Sequence, residues 1–185
     1  MIAQDLFVRQ TTLATGRLRL EPLGLAHFDG IWASLQDPEI SRLTGTHAEF
    51  TQRQIHTWLA SRSDAADRAD WAMVSAADGT YLGEVVLNDL DPDNESMAFR
   101  IALRGPEIFG QGYGTEAIRA VLNHAFDDLG LHRIELEVFE FNPRARHVYE
   151  KCGFVVEGRR RQALRWGGQW VDAVSMAVLA DDPRF

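Results

Sequence analysis

Phe109-Gly110-Gln111-Gly112-Tyr113-Gly114-Thr115-Glu116-Ala117 joins two segments of different hydrophobic period. Before it, residues 97–103 read as a strand. After it, Ala117, Ile118, Val121, Leu122, Ala125 and Phe126 recur at helical spacing, and Gly130 ends the run. Glycines at 110, 112 and 114 let successive backbone N–H groups converge. The helix N-terminus adds about half a positive charge aimed at the same spot. An anion that needs close backbone approach is the natural ligand, because a Cβ at these positions holds it away. A bare tight turn is the alternative. A P-loop is excluded, since Gly114 is followed by Thr115-Glu116 rather than Lys-Ser/Thr. The dinucleotide fingerprint is excluded too, since Thr115 stands where its third glycine belongs.

Outward from this turn the chain divides into two patterns. On the N-terminal side, Leu18-Arg19-Leu20-Glu21-Pro22-Leu23 alternates like an edge strand that Pro22 closes. Residues 26–35 predict a helix with Phe28, Ile31, Trp32 and Leu35 on one face, broken at Asp37-Pro38. Thr51 caps a second helix through Ile55, Trp58 and Leu59. Strands at 71–75, 81–87 and 97–103 follow, separated by Asp78-Gly79 and Asp91-Pro92-Asp93-Asn94. Links this short leave no room for crossover helices, so these strands pair antiparallel. On the C-terminal side, Ile134-Glu135-Leu136-Glu137-Val138-Phe139 predicts a strand, residues 143–151 a helix, and 154–156 and 170–179 the last strands. A strand–helix–strand crossover on an antiparallel meander gives a mixed sheet, α/β or, by some conventions, α+β.

Composition narrows the function. The chain has 185 residues, 45% hydrophobic and 25% charged, which suits a single domain over 1–185, with 1–14 a loose N-terminal extension. A net charge of −8 disfavours non-specific nucleic-acid binding and mildly favours a cationic partner. No apolar run approaches a membrane span, and Met1-Ile2-Ala3-Gln4-Asp5 lacks a signal-peptide pattern. The single cysteine, Cys152, fits a core position in a protein of the reducing cytoplasm. The six histidines show no zinc-like spacing, and the acidic turn 89–95 lacks the glycine and distal glutamate of a calcium loop, so no metal is expected.

The glycine turn resembles the coenzyme-A pyrophosphate loop of the GNAT acyltransferase superfamily. Asn142-Pro143-Arg144-Ala145-Arg146-His147-Val148-Tyr149-Glu150-Lys151-Cys152-Gly153-Phe154 is similar to that superfamily's second signature. Order and spacing of the two blocks match. Thr15-Gly16-Arg17-Leu18-Arg19-Leu20-Glu21-Pro22-Leu23, Asp37-Pro38-Glu39-Ile40 and the tail resemble a branch containing ribosomal-protein N-terminal acetyltransferases and spermidine acetyltransferases. The resemblance implies a mostly antiparallel sheet of about six to seven strands with helices on both faces, and acetyl-CoA as co-substrate. One departure is Phe109, where the family often has Gln or Arg. A side chain is lost there, but no backbone donor.

What the resemblance implies for the site is specific. Backbone groups at Ile101 and Leu103 hold the pantetheine arm in a gap beside the next strand. Phe109, Gly110, Gln111, Gly112, Tyr113, Gly114 and Thr115 surround the pyrophosphate, with Asn142, Arg146 and Tyr149 contributing from the following helix. Tyr149 is the candidate general acid for the departing thiolate. Glu84, then Glu95, are candidates for the base; the branch often has an acid near Met97 that this chain lacks. The expected reaction is direct transfer of an acetyl or related acyl group to a primary amine of a protein N-terminus or a small molecule. Polyamine acetylation is the alternative, for which the acidic turn would lie near the groove. A coenzyme-A-binding sensor without turnover is another. The resemblance also leaves room for a homodimer, with no membrane or nucleic-acid partner.

Overall fold

The structure is a computed structural model that describes residues 10–183. Among them, eight strands form one sheet in the order β1–β2–β3–β4–β5–β6–β8–β7. They are β1 (Leu13–Ala14), β2 (Leu18–Pro22), β3 (Ala69–Ser75), β4 (Tyr81–Asp91), β5 (Ser96–Leu103), β6 (Arg133–Phe139), β7 (Val155–Trp166) and β8 (Gln169–Leu179). All neighbours are antiparallel except β5 and β6, which are parallel. That pair is the crossover expected where the period changes, with α4 (Tyr113–Asn123) as its helix.

Side-chain alternation divides the core between the two faces. Trp71 and Met73 of β3 join Leu87 of β4, Phe99 of β5 and the α4 stripe Ala117, Ile118, Val121 and Leu122 in the larger cluster. Tyr149 and Cys152, at the end of α5 (Pro143–Lys151), pack into the same cluster. On the opposite face Ala72 and Val74 meet Ile31 of α1 (Phe28–Leu35) and Ile55 and Leu59 of α3 (Gln52–Ala60). Mixed topology and helices on both faces agree with the expectation.

Four details differ from it. The strand count exceeds six to seven because β1, two residues long, pairs with β2 across the turn at Gly16; so short a strand has no period to detect, and it makes β2 an interior strand. The loose extension does not reach residue 14. Trp71 Nε1–H donates to the Thr11 carbonyl (3.0 Å) and Gln10 binds β3, while residues 1–9 lie outside the described residues. Asp37-Pro38 ends one helix by starting another, α2 (Pro38–Thr44): Asp37 Oδ1 accepts from the N–H groups of Glu39 (2.8 Å) and Ile40 (3.1 Å), with Pro38 in the first turn. Strand β7 runs through Arg159-Arg160-Arg161 to Trp166. It is held to β8 by a two-residue turn, Gly167-Gly168, both at positive φ, which matches the twist of a hairpin.

Asp70 of β3 is fully buried. It accepts two hydrogen bonds from Arg68 (2.7 and 2.6 Å) and lies 3.7 Å from Arg62. Asp70→Ala leaves these guanidinium groups without their anion and is expected to cost about 3 kcal/mol in urea unfolding. A loss below about 1 kcal/mol would mean that water compensates the arginines.

Candidate active site

Strands β5 and β6 pair only at Ser96–Arg133, Met97–Ile134 and Ala98–Glu135. Beyond this they separate, β5 staying registered on β4 through Leu103 and β6 on β8 through Phe139. Arg104 N–H donates to Leu82 on β4 (2.8 Å). By strand alternation Ala102 and Arg100 also turn their main chain to β4. Ile101 and Leu103 therefore present theirs to the gap.

The glycine turn stands beside the open end of that gap. Gly110 and Gly112 have φ of +75° and +84°, and Gly112 precedes the first residue of α4. Among the described residues, the N–H groups of residues 110–115 donate to no protein acceptor. A Cβ built at Gly110 or Gly114 meets nothing within 4 Å. Unpaired amides facing open space suit a coenzyme's pyrophosphate. Two arginines unmarked in the sequence reading bracket the loop. Arg144 lies 3.6 Å over the Phe109 ring. Arg17 donates through Nη1 to the Gln111 carbonyl (2.9 Å) and through Nε to Glu116 Oε2 (2.7 Å). No spacing signal could reveal Arg17, which lies 94 residues from Gln111.

Tyr149 lies where the strands part, edge-on to Phe99 with ring centroids 6.4 Å apart. Its ring is buried, and burial pushes the phenol well above its ordinary pKa, so it stays protonated at neutral pH. Among the described residues its hydroxyl makes no hydrogen bond, leaving the proton available. Asn142 caps α5, with Oδ1 accepting from Ala145 N–H (3.1 Å). Arg146 is drawn along the helix to Glu150 (2.9 Å), so Arg144 rather than Arg146 reaches the loop.

The two base candidates are far apart. Glu84 on β4 sits opposite Ala102, level with Ile101 and Leu103, on the sheet face away from Tyr149. Its side chain is 18% exposed, and burial raises its pKa, partly countered by Arg100 at 3.7 Å. Glu95 sits at the other end of β5, where its carbonyl accepts from His132 and Arg133 N–H (2.7 and 3.2 Å). At about 3.3 Å per residue, Glu95 is roughly 20 Å along the strand from Ile101. The turn with Asp89, Asp91 and Asp93 lies at that same closed end, contrary to the expectation that it borders the groove. A hairpin turn entering β5 is necessarily at the end opposite its exit. Asp91 is occupied there, accepting from Asn94 N–H (3.0 Å) and Nδ2 (2.8 Å).

At the open end, on the α2 side, a cavity of about 600 Å³ is bordered by Arg42, Phe141, Trp166 and Trp170. His47 stacks on Trp166 (4.8 Å), joining the α2–α3 loop to the β7–β8 hairpin. The bordering carboxylates are already paired: Arg159 engages Glu140 (3.1 Å) and Asp172 (2.5 Å). Among the described residues no group of three His, Cys, Asp or Glu is placed to hold a metal ion. Among the described residues no helix is long and apolar enough to cross a membrane.

Gly114 permits a clean test of the loop. Its φ is not positive and a Cβ there meets no protein atom, whereas a side chain at Gly112 would be strained and would meet Arg17 at 3.2 Å. Gly114→Val is expected to leave the thermal midpoint nearly unchanged and weaken acetyl-CoA binding at least tenfold, about 1.4 kcal/mol by calorimetry. Unchanged affinity would move the anion site elsewhere.

The sequence profile of the acetyltransferase (GNAT) domain matches residues 17–155. The chain is 31% identical over 157 residues to an FsC-acetyl coenzyme A-N(2)-transacetylase of Aspergillus fumigatus, covering 78% of this chain and 65% of that protein. It is 35% identical over 107 residues to a spermidine N(1)-acetyltransferase of Vibrio cholerae, covering 58% and 61%. The chain thus spans somewhat under two thirds of the length of these two curated relatives. The crystal structure of the Vibrio cholerae spermidine N-acetyltransferase in complex with CoA and spermine superposes with a TM-score of 0.83 at 25% identity, over 90% of this chain and 97% of that one. With the profile matching most of its length, the chain belongs to the GNAT acetyltransferase family.

Proposed function

We propose that this chain, a single acyltransferase domain, moves an acetyl or related acyl group from acyl-CoA directly to a primary amine. The observation that carries this reading is the junction of two diverging parallel strands with a helix N-terminus whose amides are unpaired. The coenzyme supplies the acyl group as an activated thioester. The N–H groups of Ile101 and Leu103 are oriented to hold an extended chain in the gap, as an added strand would be held. Residues 110–115 present the amides for its pyrophosphate. Tyr149 holds a proton beside the gap for the leaving sulfur. Glu84, with its raised pKa, accepts the ammonium proton from the other face, directly or through water. Glu95, at the closed end, has no such access. An enzyme is favoured over a silent coenzyme sensor by the uncommitted hydroxyl of Tyr149, for which binding alone gives no reason.

For the acceptor, relatives that act on spermidine support a polyamine. The cavity favours a single amine on a peptide N-terminus or a small molecule. Aromatic rings border it and its carboxylates are neutralised by Arg159, while the acidic turn is at the far end of β5. A buried lone cysteine suits the cytoplasm. A panel of polyamines, small amines and N-terminal peptides, read by free thiol release from acetyl-CoA, tests the proposal. No release with any acceptor would overturn it.

Tyr149→Phe keeps the packing on Phe99 and Phe154 and removes the proton. Turnover is expected to fall about a hundredfold to ten-thousandfold with acetyl-CoA affinity little changed. Single-turnover rates at saturating coenzyme check this, and wild-type chemistry in the variant would leave water as the acid.

Glu84 makes a prediction of opposite sign for activity and stability. Its pKa is higher folded than unfolded, so the fold binds its proton more tightly, and this residue's contribution to stability grows as pH falls through the folded pKa. At pH 8 the ionised carboxylate opposes folding. Glu84→Gln is therefore expected to raise the denaturant midpoint at pH 8, where it slows turnover, and to give no such gain at pH 4, where Glu84 already carries its proton. Equal stability changes at the two pH values would refute the burial argument.

A further inference from the structure

We propose that Arg17, carried on the β1–β2 hairpin, is the cation of the coenzyme's phosphate site and replaces the side chain that the loop lacks at Phe109. This rests on the acyl-CoA reading above and extends it to a residue outside both signature blocks.

The geometry is a clamp. Glu116, in the first turn of α4, accepts from Thr15 Oγ1 (2.5 Å), from Arg17 N–H (2.8 Å) and from Arg17 Nε (2.7 Å). One carboxylate thus fixes the hairpin backbone and aims the guanidinium. Nη1 then donates to the Gln111 carbonyl (2.9 Å), and the group lies 4.7 Å over the Tyr113 ring. Nη2 sits 3.2 Å from where a Gly112 Cβ would be, and donates to no protein acceptor among the described residues. Two of the fork's three nitrogens are engaged in placing it, and the third is left at the edge of the loop whose amides are unpaired.

The electrostatics require a cation there. An unpaired Glu116 carboxylate in the first turn of α4 would repel any anion bound to residues 110–115. Arg17 cancels that charge and leaves N–H groups directed toward the loop. Glu116 is held below its usual pKa against the opposing effect of its own burial, through its bonds to Thr15 and Arg17, so the pair stays charged at neutral pH. Arg144 is instead stacked on the Phe109 ring.

Two roles for Arg17 must be separated: neutralising Glu116, and acting on the phosphates itself. Calorimetric titration with acetyl-CoA of wild type, Arg17→Gln, Arg17→Lys and the Arg17→Gln/Glu116→Gln double variant does so. Arg17→Gln is expected to bind at least tenfold more weakly, and the deficit is expected to shrink as salt is raised. The double variant removes both charges and is expected to stay about fivefold or more below wild type, while Arg17→Lys keeps the charge without the fork and is expected to fall between Arg17→Gln and wild type. Wild-type affinity in Arg17→Gln overturns the proposal. So does full recovery in the double variant, which would reduce Arg17 to a counter-ion for Glu116. Should Arg17→Gln fail to fold, the Lys variant decides, an affinity no higher than the double variant's counting against a charge-based role. Wild-type protein that takes up no acetyl-CoA in the same titration overturns the acyl-CoA reading, and this proposal with it.

Discussion

Strands β5 and β6 begin as a hydrogen-bonded parallel pair and end apart, and the candidate site exists because of that separation. Each strand is committed to another partner: β5 to β4 through Leu103, β6 to β8 through Phe139. The backbone groups freed on β5 must be satisfied by water or a ligand. The crossover between the two strands starts with the glycine turn, so the unpaired amides of residues 110–115 arise at the same end. The parting of β5 from β6 thus sets open main-chain groups beside the unpartnered amides of the glycine turn.

The same constraint distributes the chemistry across the sheet. Tyr149 packs in the larger cluster with Phe99, while Glu84 projects from the opposite face, one strand from the gap. In the proposed reaction, the opening in the sheet is what gives groups on opposite faces access to one bond. Burial then works in useful directions for both. It keeps a phenol protonated and raises a carboxylate toward neutral pH. Burial, together with the nearby Asp70, disfavours the ionised form of Glu84 more than Arg100 and Arg68 favour it, a cost of the kind active sites carry.

The two ends of β5 also differ in what their charged groups do. The acidic turn lies at the closed end and serves its own backbone through Asp91. The open end carries Arg17, Arg144, Arg42 and Arg159 among aromatic rings. A net charge of −8 hides this arrangement, since composition sums over both ends.

Much was legible in the sequence. The change of hydrophobic period around Gly110-Gln111-Gly112-Tyr113-Gly114 marked the crossover, the α4 stripe named the buried face, and the glycines marked the turn whose amides find no protein partner among the described residues. The two-residue strand β1 and the helix after Asp37-Pro38 were not. One is too short for a period, and the other begins at a dipeptide that is both a breaker and a cap. Asp89 and Glu95, close in number to Met97, lie at the wrong end of a strand whose direction only the pairing fixes. Arg17 and Glu116 meet across 99 residues through a contact that no local pattern encodes. By itself the sequence determined what is local: period, capping, turn chemistry and the loop's capacity for an anion. Only the tertiary structure decided which residues share that loop, because strand order, register and the parting of β5 from β6 are set by side chains packing over long separations.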